Sequence, residues 1–344
     1  MHYKNLVTLV LILHGRHDNL DRQLLYYKNK GVNILIADSS NEEHNFSYFE
    51  NIWTYKFFNG LNYTQKIEAV LQLVKTPYIA LCADDDFIIP NALFNCVEYL
   101  ERNLSYSIAQ GNCICYAKES VETKNIVFKP LYPPLNNDFN ESDPFKRLES
   151  FLSNYRSVLY AVHRTEVLKE AFLDAGKKIS NLFLNEYLTI FIPLMQGKCK
   201  ELPILYQIRE YALDSDDKTS DNLGTILTNK SYKTEKESFI EFIVSKISLA
   251  TDCNAEHIEK FVQDLITKFS QSKFVINNPE NINFKKKVGK LIKYFPLIGN
   301  KIIIRNREKE LEKRLSKVVN TSEDLKHLAE INEVLRACSK TKNI

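Results

Sequence analysis

The strand-like runs LVTLVLIL, VNILIADSS, IWTYKFF and TPYIALCA follow one another early in the chain, separated by amphipathic stretches. Apolar runs without polar alternation need cover on both faces, which strands obtain in a mostly parallel sheet with helices on either side. The connecting segments suit that role. LDRQLLYYKNKG has helical periodicity and closes at Gly31, a second helix spans about Tyr63 to Val74, and Pro90 precedes a third, NALFNCVEYLERN. The expected fold class is therefore α/β. Open sheets of this kind bind ligands at the carboxyl ends of their strands. Asp38 ends the second run, and Asp84, Asp85 and Asp86 end the fourth.

Further along, YSIAQGNCICYA reads as a strand and KPLYPPLNNDFNESDP as a polar, Pro-rich loop. A helix from Phe145 to Asn154 leads into SVLYAVHRTEV, a strand and then a helix, with His163 and Arg164 at the strand's end; a lone His is more often packed or surface-exposed than catalytic. LFLNEYLTIFIPLMQG is helical, CKELPILYQIRE is a strand, and LDSDDKTSDN is a solvated boundary loop. Beyond about Tyr232 only helical periodicity is visible, so the chain divides into residues 1–225 and a helical extension, 226–344.

With 344 residues, 44% of them hydrophobic and 11% aromatic, the chain can bury a substantial core and is globular, not disordered. The apolar run Leu6–Leu13 is far short of the roughly 20 residues that span a bilayer, and no signal-peptide pattern precedes it. A cytoplasmic location is expected. The seven cysteines (Cys82, Cys96, Cys113, Cys115, Cys199, Cys253 and Cys338) are scattered without a CxxC pair, as suits reduced core thiols and not a sulfur metal site. The net charge of +3 conceals an asymmetry: Phe284–Lys317 carries +9 and the remainder −6. The interleaved Lys, Arg and apolar residues of Phe284–Lys317 suit an amphipathic helix on an anionic membrane, or equally one docked on the rest of the chain. Nucleic acid is set aside as a partner, because no binding motif accompanies the modest overall charge.

Three adjacent carboxylates repel one another. At a strand end they can hold Mn²⁺ or Mg²⁺, which keeps several waters and is completed by substrate phosphates. Alternatively they form a solvated acidic turn that suits the following helix N-terminus.

The first two-thirds of the chain resembles the GT-A nucleotide-sugar glycosyltransferases, in particular the inverting family 2 type of bacterial surface polysaccharide synthesis. Three ordered segments carry the resemblance. TLVLILHGRHDNLDRQLLYY is similar to the opening strand and helix of that family, with an Arg in the intervening turn. ILIADSS is similar to the second-strand motif and YIALCADDDFIIPNAL to the metal-binding DxD region. NLFLNEYLTIFIPLMQGKCKELP resembles the segment bearing the catalytic base. The resemblance implies a GT-A, Rossmann-like sheet flanked by helices, with a C-terminal helical extension.

It also implies roles. Glu186 would be the base that takes a proton from an acceptor hydroxyl. Asp38 would contact the nucleotide base, Asp85 and Asp86 would hold the divalent cation, and Asp84 would substitute for the family's first Asp, whose position is Ala83. Arg209 would grip the donor diphosphate or the acceptor, and Lys66 would face the nucleotide; a surface Arg and a solvated helix face explain these two equally well. Tyr187 stands where the family often has a second acid. The implied enzyme is hexosyltransferase-like: it passes a sugar from a nucleotide-diphosphate donor to a hydroxyl of a capsule, O-antigen or lipooligosaccharide, with inversion and metal dependence. A lipid-linked acceptor would place it peripherally at the inner face of the cell membrane. Two rivals remain open: a nucleotidyltransferase, for which HGRHDN is a poor phosphate loop, and a catalytically silent sugar- or nucleotide-binding protein of the same fold.

Overall fold

The computed structural model describes residues 5–45, 49–118, 126–130, 138–210, 230–251, 253–271 and 321–340, with positions 313, 315, 316 and 319 between the last two segments. The basic segment, the boundary loop after Glu210 and most of REKELEKRLSKVV lie outside the described residues.

Nine strands form one sheet among the described residues: β1 (Val7–Leu13), β2 (Ile34–Asp38), β3 (Trp53–Phe57), β4 (Tyr78–Ala83), β5 (Phe87–Ile88), β6 (Tyr106–Lys118), β7 (Ile126–Pro130), β8 (Val162–Arg164) and β9 (Lys198–Glu210). Their order is β3-β2-β1-β4-β8-β6-β9-β5, with β7 paired to β6. The first four strands are parallel, as expected. The second half is mixed: β8 runs antiparallel to both β4 and β6, β9 is parallel to β6, and β5 is antiparallel to β9.

Helices cover both faces. On one side lie α1 (His17–Tyr27) and α3 (Pro90–Arg102). On the other lie α2 (Tyr63–Leu73), α4 (Pro144–Ser153), α5 (Thr165–Phe172) and α6 (Leu182–Gln196). Strand parity divides the residues between two cores. Val10, Ile12, Leu35, Ala37, Ile79 and Leu81 face one, and Leu9, Leu11, Ile34, Ile36, Ala80 and Cys82 face the other. This double burial is why the strands read as continuous apolar runs.

The C-terminal helices α7 (Lys233–Ala250), α8 (Ala255–Gln271) and α9 (Ser322–Lys340) join these layers. Phe239, Phe242, Ile243 and Ile247 of α7 enter the core beside α6. Leu328, Ile331 and Leu335 of α9 enter the α1 face, where Lys30 and Glu330 pair at 2.7 Å. Among the described residues no helix is long and apolar enough to cross a membrane.

Two details position the site. At Gly111 the β6–β9 register shifts, and a Cβ there would lie 2.5 Å from the Ile204 carbonyl oxygen, so only glycine admits this approach. The short β5, absent from the sequence reading, then pairs Phe87 with Ile208 and Ile88 with Gln207. That pairing sets the aspartate triplet beside the end of β9.

Candidate functional site

The parallel β1, β2 and β4 end at a common edge, where the register matches Leu13 to Asp38 and Ile12 to Ala83. Asp38 is fully buried. It accepts hydrogen bonds from the Ser40 N–H (2.8 Å) and hydroxyl and from the Tyr55 hydroxyl (2.7 Å), with His17 Nε2 at 3.4 Å. Burial would raise its carboxyl, but these donors prevail and hold it below the ordinary value. The His17 ring stacks on His44 with centroids 4.4 Å apart.

Lys66 is buried, so it does not lie on a solvated helix face. Its helix α2 starts with a capping box between Asn62 and Gln65. The ammonium donates to the Leu13 carbonyl at 2.7 Å, in the field of both Asp38 and Asp84. Burial pulls it down to about 8 against the opposing pull of those carboxylates.

The three aspartates differ sharply. Asp84 is buried and faces the Arg16 guanidinium, whose Nε donates at 3.1 Å and whose Nη2 contacts the other carboxylate oxygen. Asp85 accepts from Arg16 Nη1 at 2.7 Å. Asp86 turns the other way: its oxygens meet the Gln207 amide (3.1 Å), the Glu210 N–H (3.1 Å) and Arg209 Nε (3.2 Å). Gln23 of α1 pins the turn by donating to the carbonyls of Ala83 and Asp86, each at 2.6 Å. Glu210 accepts from Tyr116 (2.7 Å) and Arg22 (2.9 Å), which closes a network around the triplet.

This arrangement decides which residues fit a divalent cation. Asp84 and Asp85 converge on one positive group already and suit a cation held by two carboxylates and completed by phosphates. Asp86, expected as a ligand, turns both oxygens toward groups at the β9 end. Among the described residues no group of three or more His, Cys, Asp or Glu is arranged to hold a metal ion.

Arg209 reaches the site but is committed to Asp86, with its guanidinium 5.4 Å from the centre of the Tyr160 ring. Glu186, half-buried on α6, accepts from the Tyr155 hydroxyl at 2.6 Å. The Tyr63 hydroxyl is buried without a hydrogen-bond partner, and its value rises from burial and from the nearby Glu186 charge. Burial raises Tyr160, helped by Tyr63, Asp86 and Asp85 and opposed by Arg209. Tyr187, next in sequence, is buried and stacks on Tyr155 at 6.1 Å.

His163 is packed in the core, one of the two commoner states of a lone histidine. Because β8 is antiparallel, the residue pairs with Ile79 and Ile108 inside the sheet, fully buried, with Nε2 2.8 Å from the Val158 carbonyl. Its neighbour Arg164 bonds the carbonyls of Tyr106 and Leu100 and joins β8 to α3. The six cysteines among the described residues are free, as expected.

The burial of these groups sets a pH dependence. Burial raises Asp84 to about 7 and raises Asp86 as well, so the folded state holds protons that the unfolded chain releases near 3.8. Their contribution is present below that value and lost as pH rises through the folded values. His163 acts oppositely: burial lowers it from 6.5 to about 4, and its stabilisation grows with pH across that interval. Two aspartates outweigh one histidine. In chelator, stability should fall by about 1 kcal/mol per pH unit between about pH 5 and about pH 6.5, and Asp84→Asn should flatten the slope. Urea midpoints measured across that range check this; a midpoint that climbs with pH in the wild type would contradict it.

No protein family and no curated protein matches the sequence. Among solved structures, S. aureus TarS residues 1–349 is similar, with a TM-score of 0.47 and 10% identity over 98% of this chain and 91% of that one. The same fragment in complex with UDP-GlcNAc gives equal values. Against longer TarS the TM-score is 0.46 with 9% identity, and the match covers 78% of this chain but 44% of TarS, less than half its length. The likeness is one of chain course, and no side chain of the site is assigned by it.

Proposed function

We propose that the protein is a glycosyltransferase that moves a sugar from a nucleotide-diphosphate donor to a hydroxyl of a surface glycan. The observation that carries this reading is the gathering, at one edge of the parallel strands, of an ionised Asp38, a buried Lys66 and two carboxylates that share the Arg16 guanidinium. Asp38 and its Ser40 and Tyr55 donors face the nucleotide base. Lys66, positive at neutral pH and set between Asp38 and Asp84, favours a diphosphate nearby. A divalent cation held by Asp84 and Asp85 would supply Lewis-acid stabilisation of the leaving diphosphate.

Glu186 serves the acceptor. It takes the proton of the acceptor hydroxyl while that oxygen attacks the anomeric carbon. The carbon–oxygen bond to the donor phosphate breaks, its electron pair leaves with the nucleoside diphosphate, and a single displacement inverts the configuration. Tyr155 fixes one carboxylate oxygen of Glu186 and leaves the other for the acceptor. In this reading the acceptor is a glycan of a capsule, O-antigen or lipooligosaccharide, met in the cytoplasm at the membrane's inner face.

A thermal-shift panel of UDP, GDP, CDP and CMP, each with and without Mn²⁺, tests the reading on wild type and Asp85→Ala. One nucleoside diphosphate should raise the melting temperature, with the metal and in the wild type only. At 100 times its dissociation constant the stabilisation is about 2.7 kcal/mol. The absence of any shift would remove the donor site. Pyrophosphate release from a nucleoside triphosphate would point instead to nucleotidyl transfer.

A further inference from the structure

The turn between β1 and α1 carries Arg16 into the aspartates, and its construction ties that residue to Asp38. Gly15 adopts a left-handed conformation, φ +71°, which favours glycine. Its N–H donates to the Ser40 hydroxyl at 2.7 Å, and the same hydroxyl donates to Asp38. His14 Nδ1 adds a contact of 2.9 Å to the Ser39 carbonyl. The backbone of the turn is therefore fixed from the β2 side. The Arg16 side chain is 48% exposed, whereas the carboxylates it joins, Asp84 and Asp85, are 2% and 14% exposed.

Competition follows. A small divalent ion binds carboxylate oxygen at about 2.1 Å, and Arg16 Nη1 already stands 2.7 Å from Asp85 Oδ2 while Nε and Nη2 face both oxygens of Asp84. A guanidinium and a metal ion drawn to the same carboxylates repel one another and compete for their lone pairs. A side chain half in solvent can swing away, but it then leaves two charge-assisted contacts. A free metal ion must displace it unaided. A metal ion arriving with a diphosphate brings the anion that the released guanidinium can bind.

We propose that Arg16 is the built-in counter-cation of the aspartate pair, and that its displacement couples entry of the divalent metal to entry of the nucleoside diphosphate. This deepens the transferase reading and rests on it. The coupling is thermodynamic: whatever factor the nucleotide adds to metal affinity, the metal adds to nucleotide affinity.

The test is direct Mn²⁺ binding, followed by the electron paramagnetic resonance of free Mn²⁺, with and without UDP, on wild type, Arg16→Gln, Arg16→Lys and Asp85→Asn. In the wild type UDP should tighten Mn²⁺ binding by about tenfold or more. Arg16→Gln should bind Mn²⁺ without nucleotide about tenfold more tightly than wild type, a difference of about 1.4 kcal/mol, and should lose most of the gain from UDP. Arg16→Lys, which keeps the charge, should behave as wild type and guards against misfolding of the Gln variant. If Arg16→Gln binds Mn²⁺ no more tightly than wild type while Asp85→Asn abolishes binding, the counter-cation is refuted and the metal site stands. If no variant binds Mn²⁺ with or without UDP, both the counter-cation and the metal-assisted transferase are refuted.

Discussion

Replacing Glu186 by glutamine is expected to lower turnover by about 10²- to 10⁴-fold, the usual contribution of a general base, while nucleotide affinity is unchanged. Glutamine keeps the shape and can still accept the Tyr155 hydrogen bond, so the packing around α6 survives. What it lacks is a lone pair basic enough to take the acceptor's proton. Donor consumption in the presence of acceptor measures the first quantity, and the nucleotide-dependent thermal shift measures the second. Tyr155→Phe should cost less, about tenfold, because it removes one hydrogen bond to a charged group and leaves the base in place. Near-normal turnover by Glu186→Gln would move the catalytic role to another residue or end the transferase reading.

Asp86→Ala is expected to destabilise the fold by about 3 kcal/mol, because it leaves the buried polar groups that bond to this side chain without their acceptor. The side chain is 1% exposed and is the meeting point of three groups from β9: the Gln207 amide, the Glu210 N–H and Arg209. Alanine leaves each of them facing a void. Asp86→Asn should cost less, since its carbonyl still accepts, although its amide must turn from Arg209. Urea unfolding of both variants at neutral pH gives the comparison. Equal stability of Asp86→Ala and wild type would mean that the β5–β9 pairing holds without this carboxylate, and would return Asp86 to candidacy as a metal ligand.

The contrast among the three aspartates shows where sequence reading stops. The strands β1, β2 and β4 are legible because burial on both faces leaves only apolar residues in them, and Asp38 and the triplet are legible as the polar residues that end such runs. Which aspartate faces solvent depends on β5 meeting β9, more than a hundred residues away in sequence, and no local pattern encodes that pairing. Arg16 is noted in the sequence only as the Arg of the turn after β1, and Glu210 not at all, for the same reason: each acquires its role from a carboxylate or a strand contributed by another part of the chain. Adjacent charges in QIRE, at the end of a strand otherwise well buried, were the available signal for Glu210. His163 reads from the sequence only as a packed or surface residue at a strand's end, because a strand's residues do not reveal its direction. A parallel β8 would have carried it to the site edge, and the antiparallel one carries it into the core. Lys66 reads as surface by type, yet α2 lays it against the end of β1.

The seating of α9 on α1 has a consequence for biogenesis. Leu20, Leu24, Tyr26 and Tyr27 of α1 and Leu328, Ile331 and Leu335 of α9 share one core, although some three hundred residues separate Lys30 from its partner Glu330. During synthesis the first four strands and α1 leave the ribosome long before residues 322–340. At about 5–20 residues per second the delay from α3 to α9 is roughly ten to fifty seconds. Throughout that interval the α1 face lacks its last apolar layer and is open to chaperones or to neighbouring nascent chains. The half of the molecule that builds the donor edge can assemble early, but its outer face closes only when the final described helix arrives.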